Sequence, residues 1–263
     1  MTIHLVFTLI MVLERNERWP MERVAIIGAS GSIGSALARR LVQQGRQILL
    51  IGRTEEKLES LSRELSQPFK VVEMSTSAPL EETLRRDAES NGGFSGLINC
   101  IGSIVLKPAH VTSDEEFRQA FETNLFTAFV TVRAGAKLLR EGGGSIILIG
   151  SAAAEIGIPN HEAIAAAKAG VIGLARSAAA TYASSNIRVN VISPGLVRTE
   201  LTRRIWENAA SAAASSSLHA LGRLGEAEHV ASLAAWLLDP ENHWVTGQVI
   251  GIDGGLGHVL AKR

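Results

Sequence analysis

The chain has 263 residues, which suits one large α/β domain or two small ones. Hydrophobic residues make up 46% of it and charged residues 20%, so a substantial core can form. Lysine plus arginine and aspartate plus glutamate balance at 26 each, so no basic excess points to nucleic acid or an anionic membrane as the partner. The single cysteine, Cys100, cannot form an internal disulfide, which favours a cytoplasmic location. The 7 histidines have no metal-ligand spacing, so no metal site is predicted.

The first twenty residues differ from the rest of the chain. Residues 5–13 are apolar apart from Thr8, too short to span a bilayer, and without the positive start or cleavage site of a secretion signal. Met21 directly precedes the first predicted strand. We therefore expect residues 1–20 to be an extension, upstream of the true start, and residues 21–263 to form the domain. A membrane-surface anchor is the alternative interpretation of this segment, and no membrane span is expected.

Strands and helices are predicted in alternation along the chain. The strands are predicted over residues 23–27, 47–51, 71–74, 97–101, 145–149, 189–192 and 249–252. The helices are predicted over residues 35–44, 55–65, 80–90, 114–139, 163–182 and 227–238. The strands are apolar throughout rather than at every second residue, which indicates a parallel sheet covered on both faces. We therefore predict a single-domain Rossmann fold, a doubly wound parallel sheet of about seven strands with helices on both faces.

A glycine-rich turn, Gly28-Ala29-Ser30-Gly31-Ser32-Ile33-Gly34, joins the first strand to the first helix. Glycines let a pyrophosphate approach the backbone at the helix N-terminus, where free N–H groups and the helix dipole favour an anion. Glycines at this spacing are a weak signal alone, but their place between a strand and a helix makes the signal strong. The alternative is a turn that needs glycine only for its conformation.

The end of the second strand indicates which dinucleotide is bound. NAD-binding sites place an acidic residue there, on the ribose 2′-OH. Here the strand closes with Ile51-Gly52-Arg53-Thr54 and offers no carboxylate. The planar guanidinium of Arg53 can instead bind a 2′-phosphate, so we predict NADP(H) as the cofactor rather than NAD(H). The alternative is a solvated arginine at a helix start.

Several later segments carry a more specific pattern. They are Asn99-Cys100-Ile101-Gly102, Thr123-Asn124-Leu125, Ile187-Arg188-Val189-Asn190, Pro194-Gly195, Thr199, Val245-Thr246-Gly247-Gln248 and Asp253-Gly254-Gly255. With these motifs the chain resembles the short-chain dehydrogenase/reductase (SDR) family. It looks most similar to the branch of 3-oxoacyl-carrier-protein reductases and related sugar or steroid dehydrogenases. The resemblance runs from Arg23 to Gly255, nearly the whole domain.

The resemblance implies a set of cofactor-binding positions. Together with the strand end above, they are Gly28, Ser30, Gly31, Ile33, Gly34, Arg53, Thr54, Glu73, Met74, Asn99, Ile101, Gly102, Lys168, Pro194, Gly195, Val197 and Thr199. The glycine turn would surround the phosphates. Glu73 and Met74 stand where the family has an Asp-Val contact with adenine. Positions 99–102 would line the ribose and the central part of the cofactor, and positions 194–199 would hold the nicotinamide end.

One position of the family's active site is changed. The resemblance places the family's catalytic asparagine at Asn124, its serine at Ser151 and its lysine at Lys168. The family's tyrosine would stand at i−4 from the lysine, where the ammonium lowers the pKa of the phenol, which acts as general acid. That position is Ile164, which has no proton to give. The only tyrosine of the chain, Tyr182, lies fourteen residues beyond the lysine and is too distant to substitute.

Three interpretations follow. In the first, the chain is an oxidoreductase for a small carbonyl or alcohol, and His161, at i−3 from Ile164, supplies the proton; otherwise His161 is an exposed helix-start residue without chemistry. Glu162 is a weaker candidate, because it lies about 100° further round the helix. In the second, the substrate is an activated double bond or an imine and needs no strong acid. In the third, the protein binds NADP(H) without catalysis, as a sensor or assembly partner.

The remaining expectations concern the substrate and the partners. Residues 200–222 are expected to form a mobile flap over a small-molecule substrate, which their apolar side chains predict to be partly hydrophobic; an amphipathic surface helix is the alternative. Members of the family pair their two long helices across two-fold axes. Here these are the predicted helices 114–139 and 163–182, so the resemblance implies a homo-oligomer, a tetramer or a dimer.

Overall fold

The computed structural model describes residues 23–259, so the expected N-terminal extension lies outside the described residues. The strands are β1 (Val24–Ile27), β2 (Ile48–Gly52), β3 (Phe69–Val71), β4 (Gly96–Asn99), β5 (Gly144–Ile149), β6 (Ile187–Pro194), β7 (Val197–Arg198), β8 (Gly225–Glu226) and β9 (Val249–Ile252). Seven of them form one parallel sheet in the order β3-β2-β1-β4-β5-β6-β9, and β7 and β8 pair separately. The predicted doubly wound fold is confirmed.

Helices follow most strands. They are α1 (Ser32–Gln43), α2 (Glu55–Leu65), α3 (Ala78–Asn91), α4 (Asp114–Phe121), α5 (Thr127–Leu138), α6 (Glu162–Tyr182), α7 (Arg203–Trp206), α8 (Ala209–Leu218) and α9 (Ala227–Leu238). A π-helical turn, Glu122–Phe126, joins α4 to α5, and a 3-10 turn, Ala152–Ala154, follows β5.

Two apolar layers enclose the sheet, because successive residues of a strand face opposite sides. In β1, Val24 and Ile26 pack in the layer that holds α1, α2 and α9. Ala25 and Ile27 pack in the layer that holds α3, α5 and α6. All four side chains are fully buried, which explains why the strand is apolar at every position.

Two predicted elements differ from the structure. The strand predicted over 71–74 lies over Phe69–Val71, because pairing with β2 ends at Gly52, and the following residues leave the sheet. The helix predicted over 114–139 is interrupted by the π-helical turn. There the side-chain amide of Asn124 donates to the carbonyl of Ala120 at 2.9 Å, and this side-chain bond accompanies the widened turn.

One helical stretch of the described residues, 162–185, is long and apolar enough to cross a membrane by length and composition alone. Half of its most apolar part is buried inside the protein. Its side chains Val171, Ala175 and Ala178 pack against the sheet, as expected of a core helix. Its length is therefore weak support for a membrane span.

Candidate active site

A cleft of about 540 Å³ opens where the strand order reverses, at the carboxyl ends of β1, β2 and β4. In open α/β sheets, ligands bind at this switch point. The cleft brings together many of the predicted cofactor residues, namely Gly28, Ser30, Gly31, Arg53, Thr54, Glu73, Met74, Ile101 and Gly102.

The glycine turn at the floor of the cleft leaves no room for side chains at two positions. Gly28 has φ +81°, and a Cβ there would lie 2.9 Å from the amide nitrogen of Ile101. A Cβ at Gly34 would lie 2.4 Å from the carbonyl oxygen of Gly28. The N-cap of α1 is Gly31, so no side chain bonds the N–H groups of the first helical turn. These groups are therefore available to a phosphate, and the turn fits a dinucleotide.

Two cations line the adenosine end of the cleft. Arg53 follows β2 directly, and Lys57 lies four residues later in the first turns of α2. Within residues 23–259 neither side chain forms an ion pair. Lys57 was not among the predicted residues, because Arg53 precedes α2 and no helical spacing relates the two positions. Two unpaired cations at this strand end suit a 2′-phosphate better than a bare ribose hydroxyl.

Some of the predicted cofactor residues do not line this cleft, and their side chains form hydrogen bonds or pack inside the protein. Asn99 is 2% exposed; its amide donates to the hydroxyl of Thr127 at 3.1 Å and accepts from the N–H of Ile101 at 2.8 Å. It therefore fixes the loop that carries Ile101 and Gly102. Ile33 packs against the apolar layer of α1. Their contacts with a cofactor stay predictions.

Lys168 and Asn124 meet beside Gly102. A Cβ at Gly102 would lie 3.3 Å from Oδ1 of Asn124 and 3.7 Å from Nζ of Lys168. The ammonium of Lys168 donates to the carbonyl of Ile149 at 2.8 Å. Burial lowers the pKa of Lys168 to about 8, and Cys100 opposes this shift weakly. The ammonium is therefore poorly solvated and suited to bind polar oxygens that enter the cleft.

Ser151 and Ile164 occupy the positions that the resemblance implied. Ser151 follows β5, and its Oγ accepts from the N–H of Ala153 at 3.2 Å, so its hydroxyl proton is free to be donated to a substrate oxygen. Ile164 lies in the first turn of α6, four residues before Lys168, and is 5% exposed. The helix therefore carries an aliphatic side chain four residues before the lysine, at the position that the resemblance implies for the tyrosine.

His161 does not lie on the helix face that the sequence spacing suggested. Helix α6 begins at Glu162, and His161 precedes it with φ −114° and ψ 12°. Its Nδ1 lies 2.7 Å from the carbonyl oxygen of Pro159. A carbonyl only accepts, so Nδ1 carries the proton and Nε2 stays open to another partner. His161 therefore lies outside the helix, where the i−3 spacing from Ile164 does not place it on the same face. Its Nε2 remains available to another partner.

The loop predicted to hold the nicotinamide end is connected to the glycine turn. Pro194 ends β6, and Val197 lies in β7. The N–H of Glu200, directly after Thr199, donates to Oγ of Ser32 in α1 at 3.1 Å. The predicted flap contains two helices, α7 and α8, and Trp206 donates from Nε1 to the carbonyl of Thr199 at 2.9 Å. The loop predicted to hold the nicotinamide end is therefore hydrogen-bonded to the turn predicted to bind the phosphates.

The segment Asn99-Cys100-Ile101-Gly102 resembles an Asn-Asn-Ala-Gly stretch of the family, so Cys100 stands at the second asparagine. Cys100 lines the cleft. Burial raises the pKa of its thiol to about 12, and nearby Lys168 only partly opposes this. The thiol therefore stays protonated at neutral pH and is a poor nucleophile.

The fold and this cleft define a dinucleotide-binding α/β protein, and comparison with known proteins gives the family. The profile described as enoyl-(acyl carrier protein) reductase matches residues 28–257. A 3-oxoacyl-[acyl-carrier-protein] reductase of Thermotoga maritima is 32% identical over 240 residues, which cover 88% of this chain and 96% of the relative. The chain belongs to the short-chain dehydrogenase/reductase family.

Solved structures agree with this assignment. A short-chain type dehydrogenase/reductase from Mycobacterium ulcerans has a TM-score of 0.86 at 28% identity, covering 91% of this chain and 90% of that one. An actinorhodin polyketide ketoreductase variant with NADPH has a TM-score of 0.83 at 26% identity, covering 90% and 98%.

Proposed function

We propose that the protein is an NADP(H)-dependent oxidoreductase that acts on a small, partly hydrophobic carbonyl, alcohol or activated double bond. One observation carries the proposal: the glycine-turn cleft is lined by Arg53 and Lys57, which form no ion pair within residues 23–259, and its lining residue Gly102 lies beside the buried ammonium of Lys168. Bound NADP(H) supplies or accepts the hydride. The NADPH-bound ketoreductase of the same fold supports this choice of cofactor.

The chain's own residues would divide the work by position. The N–H groups at the start of α1 bind the pyrophosphate, and Arg53 and Lys57 bind the 2′-phosphate. Lys168 binds ribose hydroxyls, since its ammonium is buried and has hydrogen-bonding capacity beyond Ile149. Ser151 donates its hydroxyl proton to the substrate oxygen and so orients the reacting carbon.

His161 is the group we propose for the proton. With Nδ1–H held by Pro159, the neutral ring presents a lone pair at Nε2 and accepts a proton from an alcohol. To donate a proton to a carbonyl, the ring must first be doubly protonated. Oxidation should therefore gain from higher pH and reduction from lower pH.

A second candidate function is NADP(H) binding without catalysis, as a sensor or assembly partner. The observation that favours it is Ile164, which places a buried aliphatic side chain four residues before Lys168. Binding of the dinucleotide does not depend on a proton donor at that position, because the phosphates and riboses have their own partners. The two functions therefore differ only in turnover.

Turnover of paired variants separates the two functions. Substrates of the proposed classes are screened with NADPH against wild type, His161→Ala and Ile164→Tyr, with the exposed His243→Ala as the matched control. If His161 supplies the proton, His161→Ala lowers kcat by about 100-fold or more with an unchanged Kd for NADPH, and His243→Ala behaves as wild type. If only the acid is missing, Ile164→Tyr raises turnover.

The opposite results are equally informative. Unchanged kcat in His161→Ala removes His161 from the mechanism. Tight NADPH binding with no turnover by wild type or Ile164→Tyr, over the whole screen, leaves the non-catalytic function. Absence of NADPH binding contradicts both.

We further propose that the protein is a cytoplasmic homo-oligomer, a tetramer or a dimer. The outer faces of α4 and α5 leave aromatic side chains exposed, with Phe117 at 43% and Phe129 at 42%. A groove between these helices and α6 is lined by Phe121, Glu122, Leu125, Phe126, Phe129, Gly170 and Leu174. These helices overlap the two long helices that the family pairs, which supports an interface between copies of the chain.

A further inference from the structure

His219 is a buried histidine that contacts two functional segments at once. It lies directly after α8, the second helix of the predicted flap, and is 3% exposed. Its Nδ1 lies 2.7 Å from the carbonyl oxygen of Ser215 in α8. Its Nε2 lies 3.1 Å from the backbone nitrogen of Leu196, in the loop of residues 194–199 that is predicted to hold the nicotinamide end. One ring therefore bridges the flap and that loop.

The two partners fix the protonation state of the ring. The carbonyl of Ser215 can only accept, so Nδ1 must carry a proton. The N–H of Leu196 can only donate, so Nε2 must present its lone pair. Only the neutral Nδ1–H tautomer satisfies both bonds. In the imidazolium form, Nε2–H would face another N–H, and the bond to Leu196 would be lost.

The backbone on either side of the ring approaches it closely and is held by hydrogen bonds. A Cβ at Gly195 would lie 2.6 Å from Nε2 of His219, so this loop approaches the ring as closely as only glycine permits. The carbonyl of His219 accepts from the N–H of Gly222 at 2.8 Å, and the N–H of Leu221 donates to the carbonyl of Gly254 at 3.0 Å. The backbone on both sides of the ring is thus anchored.

Three titratable side chains lie near the ring, and two of them are hydrogen-bonded to backbone N–H groups. Arg223, His229 and Asp253 line the small cavity beside it. The carboxylate of Asp253 accepts from the N–H groups of Gly255 and Gly257, and Nδ1 of His229 accepts from the N–H of Glu226. In the loop itself Arg198 pairs with Glu226, and residues 209–218 of α8 carry no charge. The nitrogens of His219 therefore face only backbone groups.

We infer that His219 is a positioning residue that couples the flap to the nicotinamide loop in its neutral form and releases that coupling when it is protonated. The inference rests on the proposed function, because that function assigns the cofactor to residues 194–199. The coupling is present while the ring is neutral and is lost when the ring takes a second proton, because Nε2 then no longer accepts from Leu196. Cofactor retention should then weaken in acid, independently of the proton that His161 is proposed to move.

The first test compares NADPH binding at pH 8 and pH 5.5 in wild type, His219→Gln and the control His243→Gln. The glutamine carbonyl can still accept from Leu196 but does not titrate. The wild-type Kd should weaken on acidification about 5-fold more than that of His219→Gln, the worth of one buried hydrogen bond. Protonation of the 2′-phosphate, whose second pKa is about 6, affects all three proteins alike. His243→Gln should follow wild type.

The second test needs no cofactor. Hydrogen exchange of residues 195–222 is measured in the cofactor-free full chain at both pH values, corrected for the intrinsic pH dependence of exchange. Wild type should lose protection at Leu196 and in α8 at pH 5.5, and His219→Gln should not. If the variant fails to fold, wild type alone decides, because protection at Leu196 that does not change with pH overturns the inference.

The two tests also separate this inference from the proposed function. If NADPH binds at neither pH but the exchange responds as expected, the coupling stands and the proposed function fails. If NADPH binds but wild type and His219→Gln respond to pH alike in both tests, the cofactor assignment of the proposed function stands and the inference is overturned.

Discussion

Lys168 lies beside Gly102, which lines the cleft, and its burial is unfavourable for the charged ammonium. Burial lowers the pKa of its ammonium to about 8, from an ordinary value of about 10.4 in an unfolded chain. The unfolded chain therefore binds the proton more tightly between these values, so folding stability rises with pH across that window. Below about pH 8 the charged, buried group destabilises the folded state in full.

Lys168→Met tests whether the buried charge of Lys168 destabilises the folded state. The variant removes the buried charge, so we expect the free energy of unfolding at pH 7 to rise by about 1–3 kcal/mol. Its advantage over wild type should shrink towards pH 10, where the wild-type lysine is neutral, while NADPH binds more weakly at all pH values. Urea unfolding at pH 7 and pH 10 measures this, with Lys70→Met, at an exposed position of β3, as the control. Equal destabilisation at both pH values would show that the ammonium is well stabilised in the fold.

Arg53 decides between the two dinucleotides in our proposal. Arg53→Ala should weaken NADPH binding by roughly 10-fold to 100-fold, the range for a lost charge-assisted hydrogen bond, and leave NADH binding nearly unchanged. Lys57→Ala should act in the same direction. The matched control is Arg63→Ala, which lies on the same helix but pairs with Glu59 at 3.0 Å and does not line the cleft. Parallel weakening of NADPH and NADH by Arg53→Ala would refute the assignment.

At the scale of elements, sequence reasoning succeeded where the signal is local. The apolar strands, the glycine turn and the lack of a carboxylate after β2 are all readable within a few residues. The strand pattern follows from burial on both faces, and the turn follows from contacts such as the one that Gly34 makes with Gly28. The alternation of strands and helices predicted a doubly wound sheet of about seven strands, whereas the order of the strands in the sheet was not predicted.

Sequence reasoning failed where a side chain competes with the backbone or where the partner is distant in the chain. The apolar pattern continues through 114–139, so only the amide of Asn124 on the carbonyl of Ala120 marks the π-helical turn. Helix α6 was predicted from residue 163 and begins at Glu162, so His161 lies outside the helix in both cases and helical spacing does not place it. The bond from Leu196 to His219 joins residues 23 positions apart, and no local pattern indicates it.

At the scale of the whole molecule, the two layers around the sheet are completed in different ways. The layer of α3, α5 and α6 carries exposed aromatic side chains on its outer surface. There, the rings of Phe126 and Phe129 lie 6.3 Å apart, and those of Phe117 and Phe121 lie 4.8 Å apart. Contiguous exposed aromatics of this kind mark interaction surfaces more often than ordinary protein exterior. With equal numbers of positive and negative side chains, long-range charge repulsion does not oppose self-association.

Phe129→Asp tests whether copies of the chain meet at this surface. A charge buried in an apolar interface destabilises it, and central aromatic contacts are typically worth about 2 kcal/mol or more, so the dissociation constant should rise by roughly 30-fold or more. Light scattering after size exclusion, over a dilution series, should show the variant at a smaller mass than wild type. The control is Val111→Asp, which is 55% exposed in a 3-10 turn and does not line the groove. A variant that keeps the wild-type mass at every concentration would place the interface elsewhere. Unchanged NADPH binding by a dissociated variant would show that the cleft is complete within one chain.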